Sequence, residues 1–141
     1  MAKTVTIGHT AVGEDCPTYV VAEIGINHNG DLNIAKSMIA AAHHAGVDAV
    51  KFQKRTPELC VPPEQRGVMR ETPWGYITYL DYRYKVEFDA GQYAEIDRYC
   101  KELGVDWFAS VWDEPSVDFM EAYNPIAYKV PSASLTDHPL L

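Results

Sequence analysis

The chain is poor in cysteine, in basic residues and in long apolar runs, and each shortage removes a class of protein. Its three cysteines, Cys16, Cys60 and Cys100, are odd in number and far apart, with neither CxxC spacing nor a ligand pattern nearby. That rules out a disulfide framework as the organising device, and the thiols read as buried or incidental residues of a reducing cytoplasm. Lys and Arg number 12 against 20 Asp and Glu, a net charge of −8. The basic residues form no stripe, so the footprint of a nucleic-acid binder is missing. No apolar run approaches the roughly 20 residues needed to cross a bilayer, and no basic segment followed by an apolar stretch opens the chain. A soluble, cytoplasmic protein with neither nucleic acid nor membrane as partner is expected. No HxxxH pattern occurs, and His43 and His44 are adjacent in a predicted helix, where neighbours point apart. No complete metal site is read from the chain.

What is present is a rhythm. The 141 residues suit one ordinary domain or a piece of one. Residues Met1 to Thr10 alternate weakly and meet Gly13 and Pro17, which predicts a short leading strand or hairpin. From Thr18 the run "TYVVAEIG" predicts a parallel strand covered on both faces. Asp31 offers an N-cap to a helix with Leu32, Ala35, Met38, Ile39 and Ala42 on one face, closed by Gly46. A second strand, "DAVKFQK", follows. The windows "AAHHAGVDAVKFQ" and "RYCKELGVDWFAS" share one plan, which makes Gly46-Val47-Asp48 and Gly104-Val105-Asp106 equivalent corners. The helix before the second corner is capped by Asp89 and carries Tyr93, Ile96, Cys100 and Leu103 on one face. A short helix opening at Glu114-Pro115 leads to a fourth strand, "IAYKV", and "PSASLTDHPLL" reads as a loop and the first turn of another helix. Strands alternating with helices predict a parallel α/β architecture, a barrel or an open doubly wound sheet.

One connection breaks the rhythm. Arg55 to Phe88 is longer than a compact α/β loop needs, and it holds Trp74, Tyr76, Tyr79, Tyr82 and Tyr84 behind a Thr72-Pro73 helix start. Some of these rings are expected to pack and others to line a lid or substrate wall.

In parallel α/β folds ligands sit at the carboxyl ends of the strands. The polar residues there are Glu23, then Lys51, Gln53 and Lys54, then Ser110 and Asp113, then Lys129, Ser132 and Ser134. Glu23 ends an apolar run, where an unpaired buried carboxylate would be costly. Lys51 and Lys129 likewise interrupt apolar strands. Two cations with serine hydroxyls describe a site for a phosphate or carboxylate; the competing reading is that the lysines pair internally with Glu23 or Asp113. His28, in the turn "NHNG", reads first as a hydrogen-bonding turn residue and second as a ligand or proton carrier.

Taken together, "AEIGINHNGD", "AGVDAVKFQ", "TPWGYITYLDYRYKVEF", "WFASVWDEPSVDF" and "AYKVPSASLTDHPLL" resemble the sialic acid synthase family over essentially the whole chain. These enzymes condense phosphoenolpyruvate with an N-acetylated amino sugar such as N-acetylmannosamine. The resemblance implies a (β/α)8 TIM-type barrel followed by a small antifreeze-like domain, working as a homodimer with a divalent metal, Mn²⁺ or Mg²⁺. Carried over by position, it implies Glu23 as the acid/base carboxylate, Lys51, Lys129 and Ser132 as phosphoenolpyruvate ligands, and Gln53 near the sugar. The third strand-end loop departs from the family's hydroxyl-Pro pattern with "SVWDE", leaving Ser110 as the phosphate contact there.

The family's metal-binding histidines lie on later strands, and a sugar-contacting arginine comes from the second domain. The chain is therefore expected to hold about the first four βα units, a half-barrel, to carry no metal ligands, and to have little synthase activity alone. Two alternatives stand beside this: a non-catalytic half-barrel that oligomerises and binds an anion, and a synthase for another acceptor, such as the legionaminic or pseudaminic acid precursors.

Overall fold

The computed structural model describes residues 3–141. The chain opens with an antiparallel hairpin of β1 (Val5–Ile7) and β2 (Thr10–Val12), as the leading segment predicts. Met1 and Ala2 lie outside the described residues.

Three parallel strands form the main sheet in the order β3 (Val21–Gly25), β4 (Ala49–Lys54) and β7 (Asp106–Val111). The strands are joined through helices because a parallel return cannot be made by a tight turn. Helix α1 (Leu32–His44) starts where Asp31 accepts hydrogen bonds from the Asn33 and Ile34 N–H groups. Helix α4 (Ala90–Leu103) starts with a reciprocal capping box between Asp89 and Gln92. Both Gly-Val-Asp corners lead from a helix into paired strands, but they are offset by one residue in the sheet, where Ala49 and not Asp48 lies opposite Asp106.

The apolar stripes of α1 and α4 meet alternate strand residues, and Ile39, Val50, Phe52 and Ile96 are fully buried between them. Tyr93 is the largest of these buried side chains; its ring stacks on Trp107 with centroids 5.7 Å apart. Its hydroxyl donates to the Gln53 carbonyl oxygen at 2.9 Å, which joins the helix layer to the end of β4. Helix α5 (Glu114–Glu121) completes this face with Met120.

Three expectations are corrected. The strand read from Thr18 begins at Val21, and it is not covered on both faces: Val20 and Val21 are exposed, because β3 is the edge strand and only Ile24 and Gly25 are buried. The fourth strand over 126–130 is reduced to one parallel bridge between Ser110 and Lys129, since among the described residues that segment has a partner on one side only. The long connection is not a helix from Thr72-Pro73. A short helix α2 (Pro57–Cys60) and a 3-10 turn at Pro63–Gln65 lead to an antiparallel hairpin, β5 (Met69–Thr72) and β6 (Gly75–Thr78), and only then to helix α3 (Tyr79–Val86). Thr72 stabilises the Pro73-Trp74 turn, since its hydroxyl donates to the Gly75 carbonyl at 2.7 Å and accepts from the Trp74 N–H at 3.2 Å. Thr78 is the helix cap.

The rings of this connection divide into packed and open. Tyr79 stacks on Tyr82 and lies under the Arg70 guanidinium, 3.8 Å from the ring centre, whereas Tyr76 is 69% exposed. Trp74 joins Asn29, Gly30 and Asp31 in lining a hollow of about 510 Å³.

Candidate functional site

Register brings the strand-end residues together. Glu23 pairs with Lys51 across β3 and β4, and Gln53 pairs with Ser110 across β4 and β7. Laterally paired residues share a face, as do residues two apart on one strand. Glu23, Lys51, Gln53 and Ser110 therefore occupy one face, and the core fills the other.

On that face the Lys51 ammonium forms an ion pair with Glu23 Oε2 and donates to Ser110 Oγ at 2.9 Å. The lysine side chain is 13% exposed and the glutamate 48%. Glu23 is thus not a buried carboxylate, and the internal pairing weighed for the lysines holds for Lys51. Lys129, bridged to Ser110, falls on the same face, and its backbone carbonyl accepts from the Val111 N–H at 3.2 Å. Lys129 is exposed and forms no ion pair among the described residues. Ser132, also exposed, opens the 3-10 turn Ser132–Ser134 just beyond. Four of the six residues, Glu23, Lys51, Gln53 and Ser110, are brought together, and Lys129 and Ser132 flank them.

Gly25 lets this group close up. A Cβ there would sit 3.1 Å from Glu23 Oε1 and 3.3 Å from Gln53 Nε2, and the β3 register shifts between Glu23 and Gly25. The two side chains converge over a residue that has none.

His28 is a turn residue. It is 2% exposed, stacks on Phe88 with centroids 4.0 Å apart, and accepts the Gly30 N–H on Nδ1 at 3.0 Å. Burial disfavours its imidazolium form and lowers its pKa to about 4, despite a backbone hydrogen bond at Gly25 that acts the other way. Lys54 points to the helix side, 4.8 Å from the Phe119 ring centre and 3.8 Å from Glu87 Oε2. Asp113 is a structural cap, and its carboxylate accepts from Thr56, Cys60 and Ser116. Cys60 and Cys100 are thiols that burial pushes up to about 12, which keeps them protonated and unreactive.

Behind Gln53 lies a cluster that residue type alone did not single out. Arg55 is 3% exposed; its guanidinium donates from Nη2 to Gln53 Oε1, lies 4.1 Å from the Trp112 ring centre, and has Nε 3.2 Å from Glu87 Oε1. Burial pushes the Glu87 carboxyl up to about 7, opposed by the Lys54 and Arg55 charges. The available signal was an arginine directly following a buried strand.

Among the described residues no three His, Cys, Asp or Glu side chains gather as a metal cluster, so this set does not fit a divalent ion and no chemical step runs through one here. An ammonium, a hydroxyl, an exposed lysine and a carboxylate on one open face can hold an anion and move a proton beside it.

Comparison with known proteins gives the family. Residues 38–141 match the family model described as the NeuB family. The chain belongs to the NeuB family. N-acetylneuraminate-9-phosphate synthase of Homo sapiens is 38% identical over 132 residues, covering 92% of this chain and 36% of that protein. The N,N'-diacetyllegionaminic acid synthase of Campylobacter jejuni is 31% identical over 126 residues, or 88% of this chain and 38% of that one. Among solved structures, the sialic acid synthetase of Leptospira borgpetersenii superposes with a TM-score of 0.84 at 24% identity, over 99% of this chain and 45% of that chain, and shows the fold. The spore coat polysaccharide biosynthesis protein SpsE of Bacillus subtilis gives 0.71 at 31% identity, over 98% and 36%. This NeuB-family chain spans little more than a third of the length of the curated relatives it matches. Two of these relatives are sugar-acid synthases by name, and none of the described helices is long and apolar enough to cross a membrane.

Proposed function

We propose that this chain forms the first four βα units of a (β/α)8 barrel and the phosphoenolpyruvate-binding rim of a synthase that makes a nine-carbon sialic-type acid from an N-acetylated amino sugar. The observation that carries the reading is the Lys51 ammonium set between Glu23 and Ser110, with Lys129 on the same face. Lys51, Lys129, Ser110 and Ser132 hold the phosphate and carboxylate of phosphoenolpyruvate. Gln53 faces the sugar. Glu23 handles protons beside the reacting carbons.

In this reading C3 of the enol attacks the open-chain aldehyde, water adds to C2, and the tetrahedral intermediate expels phosphate. Lys51 leaves part of its pairing with Glu23 to meet the incoming anion, which frees the carboxylate as a proton acceptor. The resemblance assigns a Mn²⁺ or Mg²⁺ ion to the family enzyme, held outside the stretch that this chain matches. It also assigns a homodimeric assembly and a cytoplasmic setting.

Calorimetric titration with phosphoenolpyruvate tests the rim. The chain is expected to bind, and Lys51→Ala is expected to weaken binding at least tenfold; equal affinity in the two would overturn the assignment. Phosphate release from phosphoenolpyruvate in the presence of N-acetylmannosamine and Mn²⁺ tests completeness. Little turnover by the 141-residue chain is expected, and robust turnover would overturn the half-barrel reading. Anion binding without turnover in any longer form, together with dimers in sedimentation, would favour a non-catalytic module. Turnover of a longer form with precursors of legionaminic or pseudaminic acid, in place of N-acetylmannosamine, would reassign the acceptor.

A further inference from the structure

The carboxamide of Gln53 has two ends, and only one can face the mouth of the site. Its Oε1 is taken by the Arg55 guanidinium, a group that has donors and no acceptor, so the end beside Arg55 is the oxygen on chemical grounds alone. Nε2 is thereby turned toward Gly25, 3.3 Å from where a Cβ would stand there, and toward the side on which Glu23 lies.

Arg55 is itself held from several directions. It is 3% exposed, its guanidinium lies 4.1 Å from the Trp112 ring centre, and its Nε is 3.2 Å from the Glu87 carboxylate, whose side chain is 8% exposed. The Arg55 N–H also points at Glu87 Oε2 at 3.4 Å. Next along the chain, Thr56 is bound through its N–H and its hydroxyl to Asp113 at 2.6 and 3.0 Å. A planar fork stacked on an indole and fixed on both sides in sequence has little freedom to turn, which a lysine ammonium on a flexible stem would have.

We infer that Arg55 is a positioning residue that fixes the Gln53 carboxamide as a hydrogen-bond donor to the acceptor sugar, selecting a carbonyl or hydroxyl oxygen at that point. The inference rests on the proposed function for the identity of the ligand; the sense of the amide does not depend on it. Arg55 does not touch the reacting atoms. It acts through Gln53, with Trp112 and Glu87 as its supports.

Two measurements test it. In the ¹⁵N-labelled wild-type chain, the Gln53 side-chain NH₂ protons are expected to show nuclear Overhauser contacts to the Gly25 Hα protons; contacts to the Arg55 guanidinium protons instead would overturn the inference, whether or not any ligand binds. In the second, saturation-transfer titration with N-acetylmannosamine in the presence of phosphoenolpyruvate compares wild type, Arg55→Lys, Gln53→Ala and the double variant. Arg55→Lys is expected to weaken sugar binding at least fivefold, to leave phosphoenolpyruvate affinity within twofold, and to add nothing once Gln53 is alanine. An Arg55→Lys effect that persists undiminished in the Gln53→Ala background, or falls equally on phosphoenolpyruvate, would assign Arg55 a merely structural role and overturn the inference. Failure of wild type to bind either compound would defeat the proposed function and leave the amide measurement to decide the sense of Gln53.

Discussion

Thr56 donates its backbone N–H to the Asp113 carboxylate at 2.6 Å, and this bond ties the segment leaving β4 to the start of α5. The same carboxylate receives the Thr56 hydroxyl, the Cys60 thiol, and both the N–H and the hydroxyl of Ser116. Burial alone would raise the Asp113 pKa, but these bonds outweigh it and hold the group below its ordinary value. Asp113→Ala leaves several donors in a buried place without a partner, and a loss of about 2 to 4 kcal/mol is expected in urea denaturation. Asp113→Asn retains one acceptor and is expected to lose less.

The imidazole of His28 makes stability depend on pH with a definite sign. Its folded-state value near 4 lies below the ordinary 6.5, so the unfolded chain takes up a proton first as pH falls. The contribution is complete above about 6.5, drains away between there and about 4, and amounts to no more than about 3 kcal/mol. Glu87, raised to about 7, works in the opposite direction between its ordinary 4.5 and 7, where the folded state binds the proton more tightly. The His28 term is therefore isolated by its own titration. The His28 Cε1 resonance should titrate near pH 4, and a midpoint near 6.5 would contradict the buried, neutral ring.

Gly30 stands where no side chain fits. With φ of +71° it would place a Cβ 2.0 Å from the Lys85 carbonyl oxygen, so Gly30→Ala must push α3 away from the turn that follows β3. A loss of at least about 3 kcal/mol is expected. Gly46 has φ of +80° and open space around it, and Gly46→Ala is expected to cost only about 1 kcal/mol in the same denaturation assay. Similar losses at the two positions would contradict the close approach of Gly30 to Lys85.

Removing Lys51 should separate binding from stability. Glu23 is 48% exposed, so Lys51→Met leaves no buried charge behind. The melting free energy is expected to shift by less than about 1 kcal/mol, while phosphoenolpyruvate affinity falls at least tenfold. A large loss of stability with unchanged affinity would make the Glu23–Lys51 pair a structural bond.

Much of the fold was legible because its signals are local. Asp31 and Asp89 are caps wherever an apolar-periodic segment follows them, and the repeated Gly-Val-Asp corner marks two helix-to-strand passages without reference to anything distant. The site was legible in part for the same reason: Glu23, Lys51, Gln53 and Ser110 are polar residues in strands, and alternation puts each on a definite face. Thr72-Pro73 misled because the same pair suits the first turn of a helix and the corner of a hairpin; Gly75, at φ of +93°, is what distinguishes the two. The exposure of Glu23 was hidden because an apolar run reads alike on an edge strand and on a covered one.

The sequence by itself determined which residues enter strands and helices, where most of those elements begin, and which polar groups stand at the strand ends, since capping and alternation act over a few residues. Tertiary structure alone decided the lateral register that sets Glu23 beside Lys51, the reduction of the fourth strand to its bridge at Lys129, and the turn of Gln53 toward the mouth by Arg55. The first two depend on contacts between segments up to 59 positions apart, as in the bond from Lys51 to Ser110, and Arg55, though two residues from Gln53, is itself held by Glu87 and Trp112 from distant segments. Local pattern carries no term for such distances. Packing and hydrogen bonding between the elements supply it.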